Sequence, residues 1–493
     1  MFEQLRARRE KTREFRRNAT LTREQFEAAR LVKFRELVGF VNAHSPYYAD
    51  VIRERGISLA NCVPQDFPVL TKSLLMANFD RIVTDRRLNK QLVADFLTRS
   101  KSPADLLLNR YTVIHTSGSS GEVGYFLYSP ADLGRATAQR QRRQRLPGKR
   151  QHRGRFRVAF YGAADGHYAA VTLVSQLSRG LARLFVRLQI LEVNSPLPGV
   201  LAALNEFQPE LIVGYTTALK ILAEKQQAGE LHISPKIIAC GGESCAPADK
   251  AILMQAFQCG VMNAYASSEH LGMGGALPGS DEIVLYDDDL IFEFQPDHCL
   301  VTNLFNRTLP LLRYRMADTL RPLPQQNHPP YLVIDSLVGR NELQPVFTNR
   351  DGVEDFISPH TINEVFVNGV TRFQMQLLDA QSFRFLVCLD PQLDAAQREE
   401  CLAGVKRRLD EILARKLMEN VQFTVDVVDD LPVNPGTRKF QLIVDKRQGG
   451  RACQTERGDK TIASHLTSGS KTGSSNRAAA AGILSEAARG IEP

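Results

Sequence analysis

Between residues 156 and 275, short β-rich runs alternate with helical ones, and no other feature constrains the fold as tightly. Arg157–Tyr161, Leu211–Tyr215, Lys236–Cys240 and Val261–Tyr265 read as strands buried on both faces. Pro198–Glu206 and Thr217–Ala228, which lie between them, read as helices. Strands separated by helices run parallel, because the chain must cross over before it returns to the sheet. The expectation is an α/β protein with a parallel core. From Glu282 to Leu337 the apolar runs come closer together, as in Leu290–Phe294 and Leu300–Phe305. That spacing predicts antiparallel pairing in a small β-barrel-like part.

The flanking regions complete a two-domain expectation. Phe26, Leu31, Phe34, Leu37, Val38 and Val41 recur near helical spacing, and Thr22 with Gln25 forms a candidate capping box. A helical segment is expected over about 1–97, within a large N-terminal domain over 1–338. Residues 339–342 read as a linker or hinge. A smaller, mobile α+β unit follows over 343–446. It has apolar runs at Phe373–Leu378, Phe383–Leu389 and Phe423–Val428, and a helix with Leu402, Val405, Leu409, Ile412, Leu413 and Leu417 on one face, capped by Asp394. Residues 447–493 contain no Phe, Tyr or Trp and read as a disordered tail.

Bulk properties exclude several classes. In 493 residues, 43% are hydrophobic and 24% charged, as in ordinary globular proteins. No apolar stretch approaches the roughly 20 residues of a membrane span. The eight cysteines include no C-x-x-C pair, so neither structural zinc nor a disulfide framework is indicated, and a reduced, cytoplasmic protein is expected. The net charge of +8 is concentrated in Arg6–Arg17, which includes Lys11, and in Arg140–Arg157. These runs read first as solvated surface. The other reading is contact with an anionic partner, such as a phosphorylated cofactor or an acidic carrier protein. Nucleic acid is disfavoured, because no aromatic residue in Arg140–Arg155 could stack on a base.

The most chemically suggestive segment lies upstream of the alternating region. Thr116-Ser117-Gly118-Ser119-Ser120-Gly121 separates the apolar runs Tyr111–Ile114 and Tyr125–Tyr128. Such a loop can wrap backbone N–H groups and hydroxyls around a phosphate chain, because no bulky side chain blocks approach. The same composition also serves as a linker. Further along, Ser268 and Glu269 follow a strand, where a carboxylate suits Mg²⁺ held against phosphates or is an ordinary strand-end acid. Asp318 could accept hydrogen bonds from a ribose diol, or pair with Arg313 or Arg315. Gly339-Arg340-Asn341-Glu342 marks the domain junction. Lys439 sits in a turn before Phe440–Val444, as either a surface lysine or a catalytic one.

In this order, these elements resemble the adenylate-forming superfamily, in the branch of phenylacetate-CoA ligases and CapK-like proteins. The resemblance spans roughly residues 20–446 and includes Ala43–Tyr48, Phe67–Lys72, Tyr265–Glu269, Arg313-Tyr314 with Asp318, Gly339-Arg340 and Lys439. It implies a large domain that binds ATP and a carboxylic acid. Thr116–Gly121 would hold the β- and γ-phosphates. Gly241, Gly242 and Glu243 would border the adenine, and Tyr265 would stack on it. Ser268 would touch the α-phosphate, Glu269 would hold Mg²⁺, and Asp318 with Arg340 would bind the ribose. Lys439 would bridge the carboxylate and α-phosphate during adenylation, and rotation about Glu342 would then admit a thiol. His167 falls where the superfamily often places a His or aromatic residue near the acyl site; a structural role is the competing reading.

The implied activity is AMP-forming activation of an aryl or acyl acid. The acyl group then passes to CoA or to the phosphopantetheine of an acyl or aryl carrier protein. The oligomeric state stays open between a monomer and a homodimer, dimers being common in this branch. The sequence departs from the usual pattern at Glu122, where Lys is usual, and at Ala266, Ser268, Ala317 and Glu342. Two alternatives follow: an adenylyltransferase that modifies a hydroxyl of a cofactor or metabolite, and a non-catalytic ATP-binding homologue.

Overall fold

The structure is a computed structural model. It describes residues 2–447 except 117–122, 140–153, 179–181, 277–279, 325–329, 336–342, 364, 366, 368 and 434–440. Ser117, Gly118, Ser119, Ser120, Gly121, Glu122, Arg340, Glu342 and Lys439 therefore lie outside the described residues, as do the expected hinge, most of the second basic run and all but the first residue of the tail.

The chain opens with helices α1 (Phe2–Asn18), α2 (Arg23–His44), α3 (Pro46–Arg55), α4 (Lys72–Ala77), α5 (Phe79–Ile82) and α6 (Lys90–Arg99). Strands β1 (Thr112–His115) and β2 (Tyr125–Tyr128) form an antiparallel hairpin, followed by α7 (Pro130–Gln139). The alternating region gives β3 (Phe156–Gly162), α8 (Ala169–Ser175), α9 (Ala182–Phe185), β4 (Val186–Glu192), α10 (Leu197–Phe207), β5 (Leu211–Gly214), α11 (Thr216–Gln227), β6 (Ile237–Cys240), α12 (Pro247–Phe257) and β7 (Gly260–Ser267). Next come β8 (Leu271–Ala276), β9 (Ile283–Leu285), β10 (Leu290–Phe294), β11 (Cys299–Asn303), β12 (Tyr314–Met316) and β13 (Val333–Ile334). The C-terminal part contains β14 (Val346–Thr348), β15 (Glu354–Phe356), α13 (Pro359–Asn363), β16 (Val370–Leu377), β17 (Ser382–Leu389), α14 (Ala395–Arg415), β18 (Gln422–Val427) and β19 (Ile443–Asp445).

The architecture is the α/β class expected from the sequence. An eight-stranded sheet has the order β13-β9-β8-β7-β6-β5-β3-β4. Its β4-β3-β5-β6-β7 half is parallel, and its β7-β8-β9-β13 half is antiparallel. The barrel-like expectation for 282–337 resolves into two parts: β9 and β13 extend this sheet, while β10-β11-β12 form a separate antiparallel one. The Thr22/Gln25 and Asp394/Gln397 capping boxes are both present. In the C-terminal part, α14 packs over the β18-β17-β16-β19 sheet through Cys401, Val405, Leu409 and Leu413.

Two buried charge clusters tie distant segments together. Asp287, Asp288 and Asp289, between β9 and β10, are each at most 2% exposed. Arg23 Nη1 donates to Asp287 Oδ2 at 2.7 Å, Lys33 Nζ donates to the Asp288 carbonyl at 2.6 Å and to Asp289 Oδ1 at 3.1 Å, and Lys11 pairs with Asp289. Lys11 therefore does not belong to a solvated basic run. It is buried on the inner face of α1 with Ala7, Phe15 and Asn18, while Arg6, Arg9, Arg13, Arg16 and Arg17 remain exposed. Gly134 in α7 lets α1 cross closely, since a Cβ there would lie 2.4 Å from the Gln4 carbonyl oxygen.

The second cluster joins the C-terminal part to the large sheet. Lys416 Nζ donates to Asp355 Oδ1 and to the Ser195 carbonyl, both at 3.0 Å, and both side chains of the pair are fully buried. Asp355 Oδ2 accepts from the Leu197 N–H at 2.9 Å, at the start of α10. The β14–β15 hairpin contributes to two cores. Phe356 packs with the large sheet, while Phe347 and Ile357 pack under the C-terminal sheet. Lys416→Met would strand Asp355 without its cation. The expected cost is about 3–5 kcal/mol in the unfolding free energy measured by urea titration, part of which the double variant Lys416→Met/Asp355→Leu should recover.

Candidate functional site

The parallel strands β3, β5, β6 and β7 all end on one edge of the sheet, where ligands bind in open α/β folds. Of the described residues singled out in the sequence, His167, Gly241, Gly242, Glu243, Ser268 and Glu269 lie on segments that follow β3, β6 and β7, Thr116 follows β1 of the hairpin, Tyr265 lies within β7, and Asp318 follows β12. Beyond β7 the chain turns through Ser268 and Glu269 into β8. The pairing shifts between Tyr265 and Ala266, which leaves Met273 of β8 unmatched as a bulge.

Tyr265 and Asp318 are brought together: the Tyr265 hydroxyl donates to Asp318 Oδ2 at 2.8 Å. Asp318 does not pair with Arg313 or Arg315, as one reading of the sequence had it. Arg313 instead forks onto Glu293 at 2.9 Å and donates to the Phe67 carbonyl, and Arg315 faces Asp297. Burial raises the Asp318 pKa above the usual carboxylate range, against the hydrogen bond from Tyr265. Burial raises that of Glu269 as well; Lys72 opposes the shift and the Asp318 charge adds to it. Two neighbouring carboxylates held against their own ionisation make a site short of positive charge, which a cation or hydroxyl donors would relieve.

The backbone beneath Glu269 is fixed by a residue that sequence reasoning missed. The Tyr128 hydroxyl, on β2, is shared between the carbonyls of Ser268 at 2.9 Å and Glu269 at 2.8 Å. It ties the β1–β2 hairpin to the β7–β8 turn. Its only signal in the sequence was a tyrosine ending the strand after the Ser/Gly loop. Thr116 closes the neck of that loop: its N–H donates to the Gly124 carbonyl at 3.0 Å, and its Oγ1 accepts from the Gly124 N–H at 2.9 Å.

Gly241, Gly242 and Glu243 follow β6. Gly242 has φ +80°, and a Cβ there would lie 2.9 Å from the Tyr215 ring, so only glycine fits. The Glu243 carboxylate accepts from Thr217 N–H and Oγ1 at 2.9 Å, at the positive end of α11. Its side chain is thus committed, and beside it the Gly241 N–H donates to the Gly214 carbonyl at 3.1 Å. His167 is 3% exposed, with Nε2 2.7 Å from Ser100 Oγ and its ring against Phe96. These contacts turn its side chain inward from the loop that follows β3.

His270, next to Glu269, is fully buried. Asn303 Oδ1 accepts from the N–H groups of Phe305 and Asn306, so its amide nitrogen faces His270 Nδ1 at 3.4 Å. Among the described residues there is no cluster of three His, Cys, Asp or Glu side chains suited to a metal ion. A Mg²⁺ ion would fit here only as phosphate-bound Mg²⁺ does, on one carboxylate such as Glu269 with phosphate oxygens and water completing its shell. No helix among the described residues is long and apolar enough to cross a membrane.

No protein-family profile matches the chain. Protein CapK of Staphylococcus aureus is 23% identical over 441 residues, which cover 83% of this chain and 86% of CapK. Indoleacetate–lysine synthetase of Pseudomonas savastanoi is 31% identical over a shorter stretch of 125 residues, 24% of this chain and 31% of that protein. Among solved structures, 2-hydroxyisobutyryl-CoA ligase in complex with 2-HIB-AMP and CoA, in its thioesterification state, superposes with a TM-score of 0.56 at 17% identity, covering 88% of this chain and 92% of that one. An open conformation of the same ligase gives a TM-score of 0.51 at 14% identity, covering 87% and 93%. The chain has the fold of the adenylate-forming CoA ligases, and its sequence is similar to CapK along most of both chains.

Burial pushes the His270 pKa down to about 3, against about 6.5 in an unfolded chain. Protonation therefore favours unfolding. The stability this histidine contributes is complete above pH about 6.5 and is lost toward pH 3, at up to about 1.4 kcal/mol per pH unit. Between pH 7 and pH 5, urea unfolding of the wild type should lose about 2 kcal/mol more than that of His270→Gln. Equal losses would show that the ring is not held neutral.

Proposed function

We propose that the chain is an ATP-dependent, AMP-forming ligase that activates a carboxylic acid as its acyl-adenylate and passes the acyl group to a thiol. The observation that carries this reading is the pair Glu269 and Asp318. Both are held partly against ionisation beside Tyr265 at the carboxyl edge of the parallel sheet, in a chain with the adenylate-forming fold.

A carboxylate is a poor nucleophile toward an anionic phosphate, so the chemistry needs positive charge where the two meet. Mg²⁺ would supply part of it as a Lewis acid on the phosphate oxygens. Glu269 would hold that ion, its backbone kept in place by Tyr128. Asp318, oriented by Tyr265, would accept from the ribose hydroxyls with help from Arg340. Thr116, with Ser117, Gly118, Ser119, Ser120 and Gly121, would hold the β- and γ-phosphates, and Ser268 would reach the α-phosphate. Gly241 and Gly242 would border the adenine with their backbone. Tyr265 would stack on it, while Glu243 braces α11 beneath. Lys439 would bridge the substrate carboxylate and the α-phosphate as charge develops there. The acid would attack the α-phosphorus, releasing pyrophosphate, and a thiolate would then displace AMP. Most of the rate would come from positioning and charge stabilisation.

We place residues 343–446 as the smaller unit that carries Lys439, with 339–342 as the junction. CoA is the first acceptor to test, because 2-hydroxyisobutyryl-CoA ligase was solved with it. An amine is the second, because a shorter relative is named for indoleacetate and lysine.

Carboxylate-dependent exchange of pyrophosphate into ATP tests the first half-reaction. The wild type should exchange with at least one acid in a panel of aryl and fatty acids. Lys439→Ala and Glu269→Gln should each lower the rate by about 100-fold or more. No exchange by the wild type with any acid would overturn the ligase reading. A stable adenylylated hydroxyl product in its place would identify an adenylyltransferase.

A further inference from the structure

His115 is the last residue of β1 and precedes the Ser/Gly loop. Its backbone N–H donates to the His167 carbonyl at 3.0 Å. Its imidazole contacts the backbone on both sides: Nε2 accepts from the His167 N–H at 3.1 Å, and Nδ1 lies 3.1 Å from the Thr116 carbonyl oxygen. A backbone N–H only donates and a carbonyl only accepts, so these partners select the neutral tautomer with the proton on Nδ1. Burial lowers the His115 pKa, which keeps that form at neutral pH.

The loop after β3 is shaped to meet this ring. Gly166 has φ +129°, and a Cβ there would lie 2.9 Å from His115 Nε2, so a side chain at 166 would force the two apart. The Tyr168 ring stands 4.5 Å from the imidazole, tilted by 54°. The same loop is held from its other side by Glu192 at the end of β4, whose Oε2 accepts from the N–H groups of Ala164 and Asp165, and whose Oε1 accepts from Asn194. Residues 163–168 are thus clamped between one imidazole and one carboxylate. Both clamps act on backbone groups, so they set where the loop lies.

We propose that His115 is a positioning residue of the candidate site, fastening the strand end at Thr116 to the loop 163–168 so that both hold one geometry at the carboxyl edge of the sheet. The role rests on the ligase reading above. His115 touches no reacting atom; it acts through Thr116 and through the backbone of Gly166–Tyr168. Displacing a substrate-binding segment by about 1 Å is enough to cost about 100-fold in rate, so a clamp of this kind has a kinetic signature.

Two measurements on the full chain test this together: hydrogen exchange of peptides covering 112–116 and 163–168, and pyrophosphate–ATP exchange at saturating ATP. In His115→Ala, the 163–168 amides should lose about ten-fold or more of their protection and the exchange rate should fall by about ten-fold or more, with the thermal midpoint within a few degrees of wild type. His115→Gln, whose amide oxygen can reach the Nε2 position, should restore part of both. Gly166→Ala should reproduce the loss from the other side of the contact, and these two variants carry the comparison if His115→Ala does not fold. Unchanged protection in His115→Ala overturns the clamp. Lost protection with unchanged kinetics overturns the positioning role. If the wild type itself shows no pyrophosphate exchange, the ligase reading fails and the positioning role fails with it, while the protection data still decide the clamp.

Discussion

Parallel pairing of β4-β3-β5-β6-β7 is the constraint on which the rest of the molecule depends. Because these strands run the same way, every loop that leaves them at the carboxyl end opens on one edge. The connections at 163–168, 215, 241–245 and 268–269 are far apart in sequence and come to that edge for this reason. The antiparallel partner β8 then returns the chain sharply after β7, which places Glu269 in a tight turn at this edge. Asp318 arrives from beyond β12 and is brought onto the same edge by the Tyr265 hydroxyl.

Buried charge holds the outer parts of the chain to this frame. The three aspartates at 287–289 each lie out of water, and cations or polar groups from α1 and α2 reach them from outside. Lys416 and Asp355 do the same between the C-terminal part and the loop before α10. Such pairs add little net stability over apolar packing, because desolvation offsets most of the attraction. Breaking one of them is costly all the same, because removing either partner leaves an uncompensated buried charge. Phe356 adds an apolar contact to the second interface, so the hairpin that begins the C-terminal part is anchored in the core of the large sheet.

Much of the fold was legible in the chain. The strands at 156–162, 211–214, 237–240 and 260–267, the capping box at Thr22, the cap at Asp394 and the apolar face of α14 each follow from patterns a few residues long. The elements that escaped did so for physical reasons. Val186–Glu192 alternates apolar residues with Arg and Gln, as an edge strand with a half-exposed face does, and so lacks the continuous apolar signal of its neighbours. Helix α1 falls within the expected helical segment, but it is so rich in arginine that its buried stripe of Ala7, Lys11, Phe15 and Asn18 does not stand out. Strand β8 contains three glycines and has weak intrinsic β-preference; its neighbours β7 and β9 hold it in place.

For the candidate site, the sequence by itself determined the inventory: a Ser/Gly loop after a strand, a Gly-Gly-Glu turn after another, and carboxylates at 269 and 318 in an order that resembles one superfamily. Residue type and local turn chemistry suffice for that, because they act within a few positions. Only the tertiary structure decided the partners. Asp318 pairs with Tyr265 rather than with the arginines near it in sequence, Glu243 turns to α11, Lys11 is buried on Asp289, and Tyr128 and His115 fix backbone groups that no local pattern links to them. Each of these choices is made by which buried polar group lacks a partner once the sheet has closed, and that is known only after segments far apart in the chain have met.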